Sequence, residues 1–192
     1  MVFILDQSGS VGRTNHDLAI QFIKNVVQFF TISPDTTRVG FVGYASSSRI
    51  GFDLDDYTNL ESLLNRIEQI RYTGGYTATD LGLNSAAQIL NPANNRGARQ
   101  ASEGIPKIAI LITDGKSNSR YWTTQAARNI KSQGVQVYTI GIVRPDVSEL
   151  QIVSSDPDSD HVFLLNSYND AAGFVDFISM QTCDGKCTVA HF

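Results

Sequence analysis

Short apolar runs alternate with amphipathic stretches along this chain. Val2–Leu5 is uninterruptedly apolar, the pattern of a strand buried on both faces. Over Thr14–Phe30, Leu18, Ile20, Phe22, Ile23, Val26, Val27, Phe29 and Phe30 form a broad helical stripe that ends before Pro34. Arg38–Tyr44 reads as a strand and Ser48–Leu54 as its hairpin partner after a Ser-rich turn. Leu60, Leu63, Leu64, Ile67 and Ile70 mark a second helical stripe, and Thr79–Leu90 a third helix. Asn91–Gly104 is a polar loop. The second half repeats the alternation: strand Lys107–Thr113, helix Thr123–Ser132, strand Val135–Val143, short helix Val147–Val153, strand His161–Leu165 and a final amphipathic helix Asn169–Met180.

Strands alternating with helices imply right-handed crossovers and a parallel sheet. The fold class expected is therefore α/β, doubly wound, with a mostly parallel six-stranded sheet and helices on both faces. The one tight β–β connection, near Ser46–Ser48, predicts an antiparallel edge strand. Neither an internal repeat nor a linker interrupts the pattern. Residues 1–182 are expected to form one domain and 183–192 a cysteine-containing tail.

At 192 residues with 42% hydrophobic and 18% charged positions, the chain can build its own core. Fifteen Lys+Arg against nineteen Asp+Glu leave a net charge of −4, which argues against nucleic acid as a partner. The longest apolar run, Ile108–Ile112, is far short of the about 18 residues of a membrane span, so no membrane insertion is expected. No basic n-region or cleavage site precedes the first strand, so a secretion signal would belong to a flank outside this sequence. The only cysteines, Cys183 and Cys187, lie in Cys-Asp-Gly-Lys-Cys. They fit a tail disulfide or pairing with a cysteine elsewhere, and so an oxidising compartment.

The chemistry collects at strand ends, where open α/β sheets bind ligands. The first strand runs into Asp6-Gln7-Ser8-Gly9-Ser10, a later one ends Ile112-Thr113-Asp114-Gly115, and Gly74-Gly75-Tyr76-Thr77 opens a helix. These ends bring Asp6, Ser8, Ser10, Thr77 and Asp114 to one rim. An oxygen-only set of hydroxyls and carboxylates suits a hard cation, Mg²⁺ first and Mn²⁺ or Ca²⁺ next. A second reading is open: Ser10 and Thr77 each precede a helix, as N-caps do.

Together these pieces resemble the metal-ion-dependent adhesion site of von Willebrand factor A domains, in the family's order and across Val2 to about Met180. The resemblance implies that Ser8, Ser10 and Thr77 give hydroxyl oxygens to the metal, that Asp6 and Asp114 act mostly through bound waters, and that an open position takes a partner's carboxylate. It also implies no enzyme. The segment Gly115–Tyr121 is too short for the extra helix of collagen-binding integrin A domains, so the extracellular-matrix branch, resembling matrilins and collagen VI, is favoured. The expected function is metal-dependent adhesion within a secreted, multidomain matrix protein, with collagen or another matrix protein as partner. The rival is an assembly module that binds through a face remote from the metal.

Tyr76, Tyr121 and Trp122 stand beside the rim residues and are partner-contact candidates; helix packing is the alternative for the last two. Gly115-Lys116-Ser117 is not a P-loop, because Ile110 stands where its first glycine is needed. Asp156–Asp160 lacks the glycine and the final glutamate of an EF-hand and reads as a solvated acidic loop. Asp53, Asp55 and Asp56 read as an exposed turn, and Arg96 and Arg99 as parts of a solvated loop. His16, His161 and His191 come with no nucleophile.

Overall fold

Alternate residues of the inner strands go to opposite sides of one sheet, and each side is closed by its own helices. In a computed structural model, which describes residues 1–143, 145–167 and 174, β1 (Val2–Asp6) sends Phe3 and Leu5 to one core and Val2 and Ile4 to the other. β4 (Lys107–Thr113) does the same with Ile108, Ile110 and Ile112 against Ala109 and Leu111. This period of two explains why both strands are apolar throughout. On the first side, α1 (Gly12–Val27) and α2 (Leu60–Glu68) bury Phe22, Ile23, Val26, Leu63 and Ile67. On the second, α3 (Thr79–Leu90) and α4 (Arg120–Ser132) bury Leu83, Ala86, Ala127 and Ile130.

Four further strands complete the sheet: β2 (Gly40–Tyr44), β3 (Ser48–Phe52), β5 (Val135–Ile142) and β6 (Val162–Leu165). Two short helices, α5 (Val147–Val153) and α6 (Asp158–His161), lie between β5 and β6. The strand order is β3-β2-β1-β4-β5-β6, parallel except for β2 against β3. From β1 the chain crosses first to β2 and later to β4 on the other side. The carboxyl ends of β1 and β4 therefore flank the switch point, where such sheets leave a crevice. Their register pairs Leu5 with Ile112, so Asp6 and Thr113 emerge side by side.

Several boundaries differ from the expected ones, each for a local reason. The Thr14–Phe30 stripe outlasts its helix, because the Phe29 and Phe30 N–H groups bond to carbonyls three residues back in a tightened last turn. β2 begins at Gly40, where the ladder with β1 starts opposite Val2, and the Arg38 guanidinium before it goes to Gly97 O and Pro34 O. β3 ends at Phe52, where Leu54 N leaves the ladder for Arg96 O. The loop 91–104 holds two 3₁₀ turns, Pro92–Asn94 and Ala101–Glu103. Nor is it simply solvated: Arg96 grips both carboxylate oxygens of Asp53 at 2.8 Å, and Arg99 donates to Thr36 O and Pro34 O. The acidic stretch 156–160 contributes α6, with Asp158 accepting from Ser154 Oγ. No described helix is long and apolar enough to cross a membrane. The final helix expected over Asn169–Met180 lies outside the described residues apart from Phe174, which packs against Phe22 and Phe163. Cys183, Cys187 and His191 lie outside them too.

Candidate metal centre

Asp6 is the floor of the rim. It is fully buried, and both carboxylate oxygens are engaged: Oδ1 accepts from Ser8 N at 2.8 Å and Oδ2 from Thr113 Oγ1 at 2.7 Å. Burial pushes its carboxyl pKa up; these hydrogen bonds pull it down, and the Asp114 charge pushes it up again. Above it runs a line of hydroxyls. Ser8 Oγ lies 3.0 Å from Ser10 Oγ, and Ser10 Oγ donates to Asp114 Oδ1 at 2.8 Å. Four of the five expected residues thus form one hydrogen-bonded set.

Thr77 arrives on a third segment. Its N–H donates to Asn118 Oδ1 at 3.2 Å and its carbonyl accepts from Asn118 N at 2.8 Å, tying it to the loop after Asp114. Gly9 N donates to Gly75 O, Gly74 N to Gln7 O, and Tyr72 Oη to Ser8 O, tying the same segment to the Asp6–Ser10 loop. Gly74 and Gly75 make this possible with φ of 73° and 114°, values a side chain would strain. Among the described residues, the Thr77 hydroxyl makes no hydrogen bond to the Ser8–Ser10–Asp114 line.

The capping alternative fails. The residues at the cap positions of α1 and α3 are Val11 and Ala78, and neither helix has a side-chain cap. By contrast α2, α4 and α5 are capped by Asn59, Ser119 and Asp146. Ser10 and Thr77 are thus held at the rim without serving the helices that follow them.

The donor set fits a divalent cation. Among the described residues neither Asp6 nor Asp114 has a Lys, Arg or His within ion-pair distance, although the two charges raise each other's energy. Among the described residues no group of three or more His, Cys, Asp or Glu is placed to hold a metal ion, here or elsewhere. The two carboxylates are supplemented only by hydroxyls, which suits an oxygen-seeking ion.

Two supports of the rim were not foreseen from the sequence. Glu149 on α5 is buried and accepts from Ser117 N at 2.9 Å and Ser117 Oγ at 2.7 Å, anchoring the loop that carries Asp114 and Asn118. Gln7 Nε2 donates to Arg71 O and lies 3.0 Å from His16 Nε2, which therefore accepts in a neutral ring. Burial holds the His16 pKa below its ordinary value, against an upward pull from Asp17. The unfolded ring protonates as pH falls through about 6.5, while the folded one resists. The stability from neutral burial is therefore full above that value and is lost as pH drops below it. Urea unfolding at about pH 7.5 and about pH 5 should show wild type losing more stability than His16→Gln. Equal losses would count against it.

The aromatic candidates are all at the surface. Tyr76, Tyr121 and Trp122 are 74%, 63% and 59% exposed. α4 starts at Arg120 rather than at the expected Thr123, because Ser119 caps it. Tyr121 and Trp122 sit in its first turn, edge to face with centroids 4.9 Å apart, and are not packed into the core.

A doubly wound sheet with a hydroxyl-and-carboxylate rim at its switch point defines an A-type domain, and the chain belongs to the von Willebrand factor type A domain family, whose profile matches residues 1–177. Human matrilin-3 is 32% identical over 98% of this chain and 37% of its own length. The human collagen alpha-1(XX) chain is 35% identical over 82% of this chain and 12% of its own. Among solved structures, proximal thread matrix protein 1 from the mussel byssus superposes with a TM-score of 0.82 at 25% identity, over 94% of this chain and 47% of its own. A form of that protein, 24% identical, has zinc in its MIDAS motif. This chain spans well under half the length of the curated relatives it matches.

Proposed function

We propose that this is a metal-dependent adhesion domain, residues 1–182, of a secreted extracellular-matrix protein, followed by a short cysteine-containing tail. Ser8, Ser10 and Thr77 are its hydroxyl donors to Mg²⁺, with Mn²⁺ or Ca²⁺ as substitutes; Asp6 and Asp114 act through ordered water. The bound cation supplies Lewis acidity toward an Asp or Glu carboxylate of a matrix partner, collagen foremost. With few direct carboxylate ligands, such a cation keeps its attraction for an external one. The exposed Tyr76, Tyr121 and Trp122 flank that position and give the partner apolar contact area. The domain is a binding module with no catalytic task.

The observation that carries this reading is the Ser8–Ser10–Asp114 line above a buried Asp6, two carboxylates with no cationic side chain among the described residues to balance them. The kinship with matrilins and a collagen chain, and the zinc-occupied thread matrix protein, support the matrix setting and the metal.

Capture of collagen and of matrix extract on the immobilised domain tests it. Binding in Mg²⁺ should disappear on chelation while the circular dichroism stays that of the folded domain. Binding that survives chelation at full strength would instead favour an assembly face remote from the metal.

A further inference from the structure

Beside the rim, toward the edge strand β3, lies a groove of about 420 Å³ with no carboxylate among the described residues that line it. Arg49 on β3, Arg66 on α2 and Arg71 just beyond α2 converge on it, in a chain whose net charge is −4. Arg66 is partly committed to the fold: it donates to Gly51 O at 3.0 Å and lies over the Phe52 ring. Arg49 and Arg71 are exposed, and among the described residues neither guanidinium has a hydrogen-bond or ion-pair partner. Three like charges around one concavity repel each other and favour an anion between them.

The groove is continuous with the rim. Gln7, between Asp6 and Ser8, lines it. Ser46 lines it too, and its Oγ accepts from the N–H of Tyr76, next to Thr77. A segment with one carboxylate at the rim therefore passes this groove within a few residues. A groove of this size has room for an acidic side chain. Guanidinium forks match carboxylates two bonds at a time. A sulfated polysaccharide would call for a long open basic track, which three arginines in one short groove do not make.

We infer that this groove binds an acidic side chain of the partner segment, so that the domain selects partners carrying a second Asp or Glu close to the one that reaches the rim. The identity of the partner rests on the adhesion reading above; the preference for a carboxylate rests on the arginines alone.

Fluorescence polarisation with labelled hexaglutamate and the full 192-residue chain tests this, in EDTA to isolate the groove and in Mg²⁺ to include the rim. Hexaglutamate should bind in EDTA and more tightly in Mg²⁺, while hexaglutamine should bind in neither. Arg49→Ala with Arg71→Ala should weaken hexaglutamate about ten-fold or more in both conditions. Both side chains are exposed and make no contact the fold needs, and circular dichroism would verify folding. Unchanged affinity in the double variant would overturn the inference, as would displacement of the peptide by a heparin hexasaccharide at lower concentration than by unlabelled hexaglutamate. Absence of the Mg²⁺ increment alone, with the arginine dependence intact, would overturn the adhesion reading and leave the groove a carboxylate site.

Discussion

Asp114→Ala is expected to lower Mg²⁺ or Mn²⁺ affinity toward the upper end of the about 10–100-fold range seen when a water-orienting carboxylate is removed from a metal site. The substitution deletes a negative charge and also the acceptor of the Ser10 hydroxyl. The same change should leave the metal-free domain as stable as wild type or slightly more so. Asp6 is buried, and Asp114 is a charge that raises its energy, so neutralising Asp114 relieves strain that only a cation otherwise relieves. Metal at a hundred times its Kd should stabilise wild type by about 2.7 kcal/mol. For a domain of this size that is a rise of about 5–10 °C in melting temperature. The variant should show little of it at the same concentration. Isothermal titration and calorimetry with and without EDTA check both statements. Equal Mn²⁺ affinities would sink the site assignment. A large loss of stability in EDTA would make the Ser10–Asp114 bond a strut of the fold instead.

What the sequence made legible was what local pattern encodes. α3, β4 and α5 have the expected limits because their patterns are bounded by clear breaks: the Gly-Gly-Tyr-Thr turn, Pro106, Pro145 and the polar 154–160 stretch. The rim residues were legible because each stands at the end of an element, where a doubly wound sheet must deliver it. The first turn of α4 was not. Ser119 is one of several polar residues between Gly115 and Arg120, and only its bond to Trp122 N marks it as the cap. The capping role open to Ser10 and Thr77 could be decided only by geometry, since the sequence offers a hydroxyl before each helix but not its direction.

Pairings across long separations had no local signature at all. Arg96 and Asp53 are 43 residues apart, and each sits in a stretch whose composition reads as solvated. Glu149 lies in Val147–Val153, where a polar position in a short amphipathic helix ordinarily faces water. It is buried because the loop after β4 folds back over α5 and presents two donors to it. The arginine groove has the same origin. Arg66 and Arg71 come from α2 and the residues just after it and Arg49 from β3, and only the packing of α2 beside the edge strand brings Arg49 to the other two.

Glu149→Ala is the substitution expected to damage both the fold and the site. Asp146 caps α5 by accepting from Glu149 N, which fixes Glu149 in the first turn facing the loop 115–118. Its carboxylate satisfies the Ser117 amide and hydroxyl, both buried. Alanine leaves these two donors unpaired, at about 1–3 kcal/mol for each unsatisfied group, so a total loss of about 2–6 kcal/mol is expected. The loop so released is the one that carries Asp114 to Ser10 and Asn118 to Thr77. Metal affinity should therefore fall although Glu149 donates nothing to the metal itself. Glu149→Gln keeps one acceptor and the shape of the side chain, and should fall between alanine and wild type in both measurements. Urea unfolding in EDTA reads the stability, and Mn²⁺ titration at a temperature where every variant is folded reads the site. An alanine variant within about 0.5 kcal/mol of wild type would show that the loop is held by its backbone alone. A destabilised variant with unchanged Mn²⁺ affinity would separate the anchor from the rim, and would confine Glu149 to the fold.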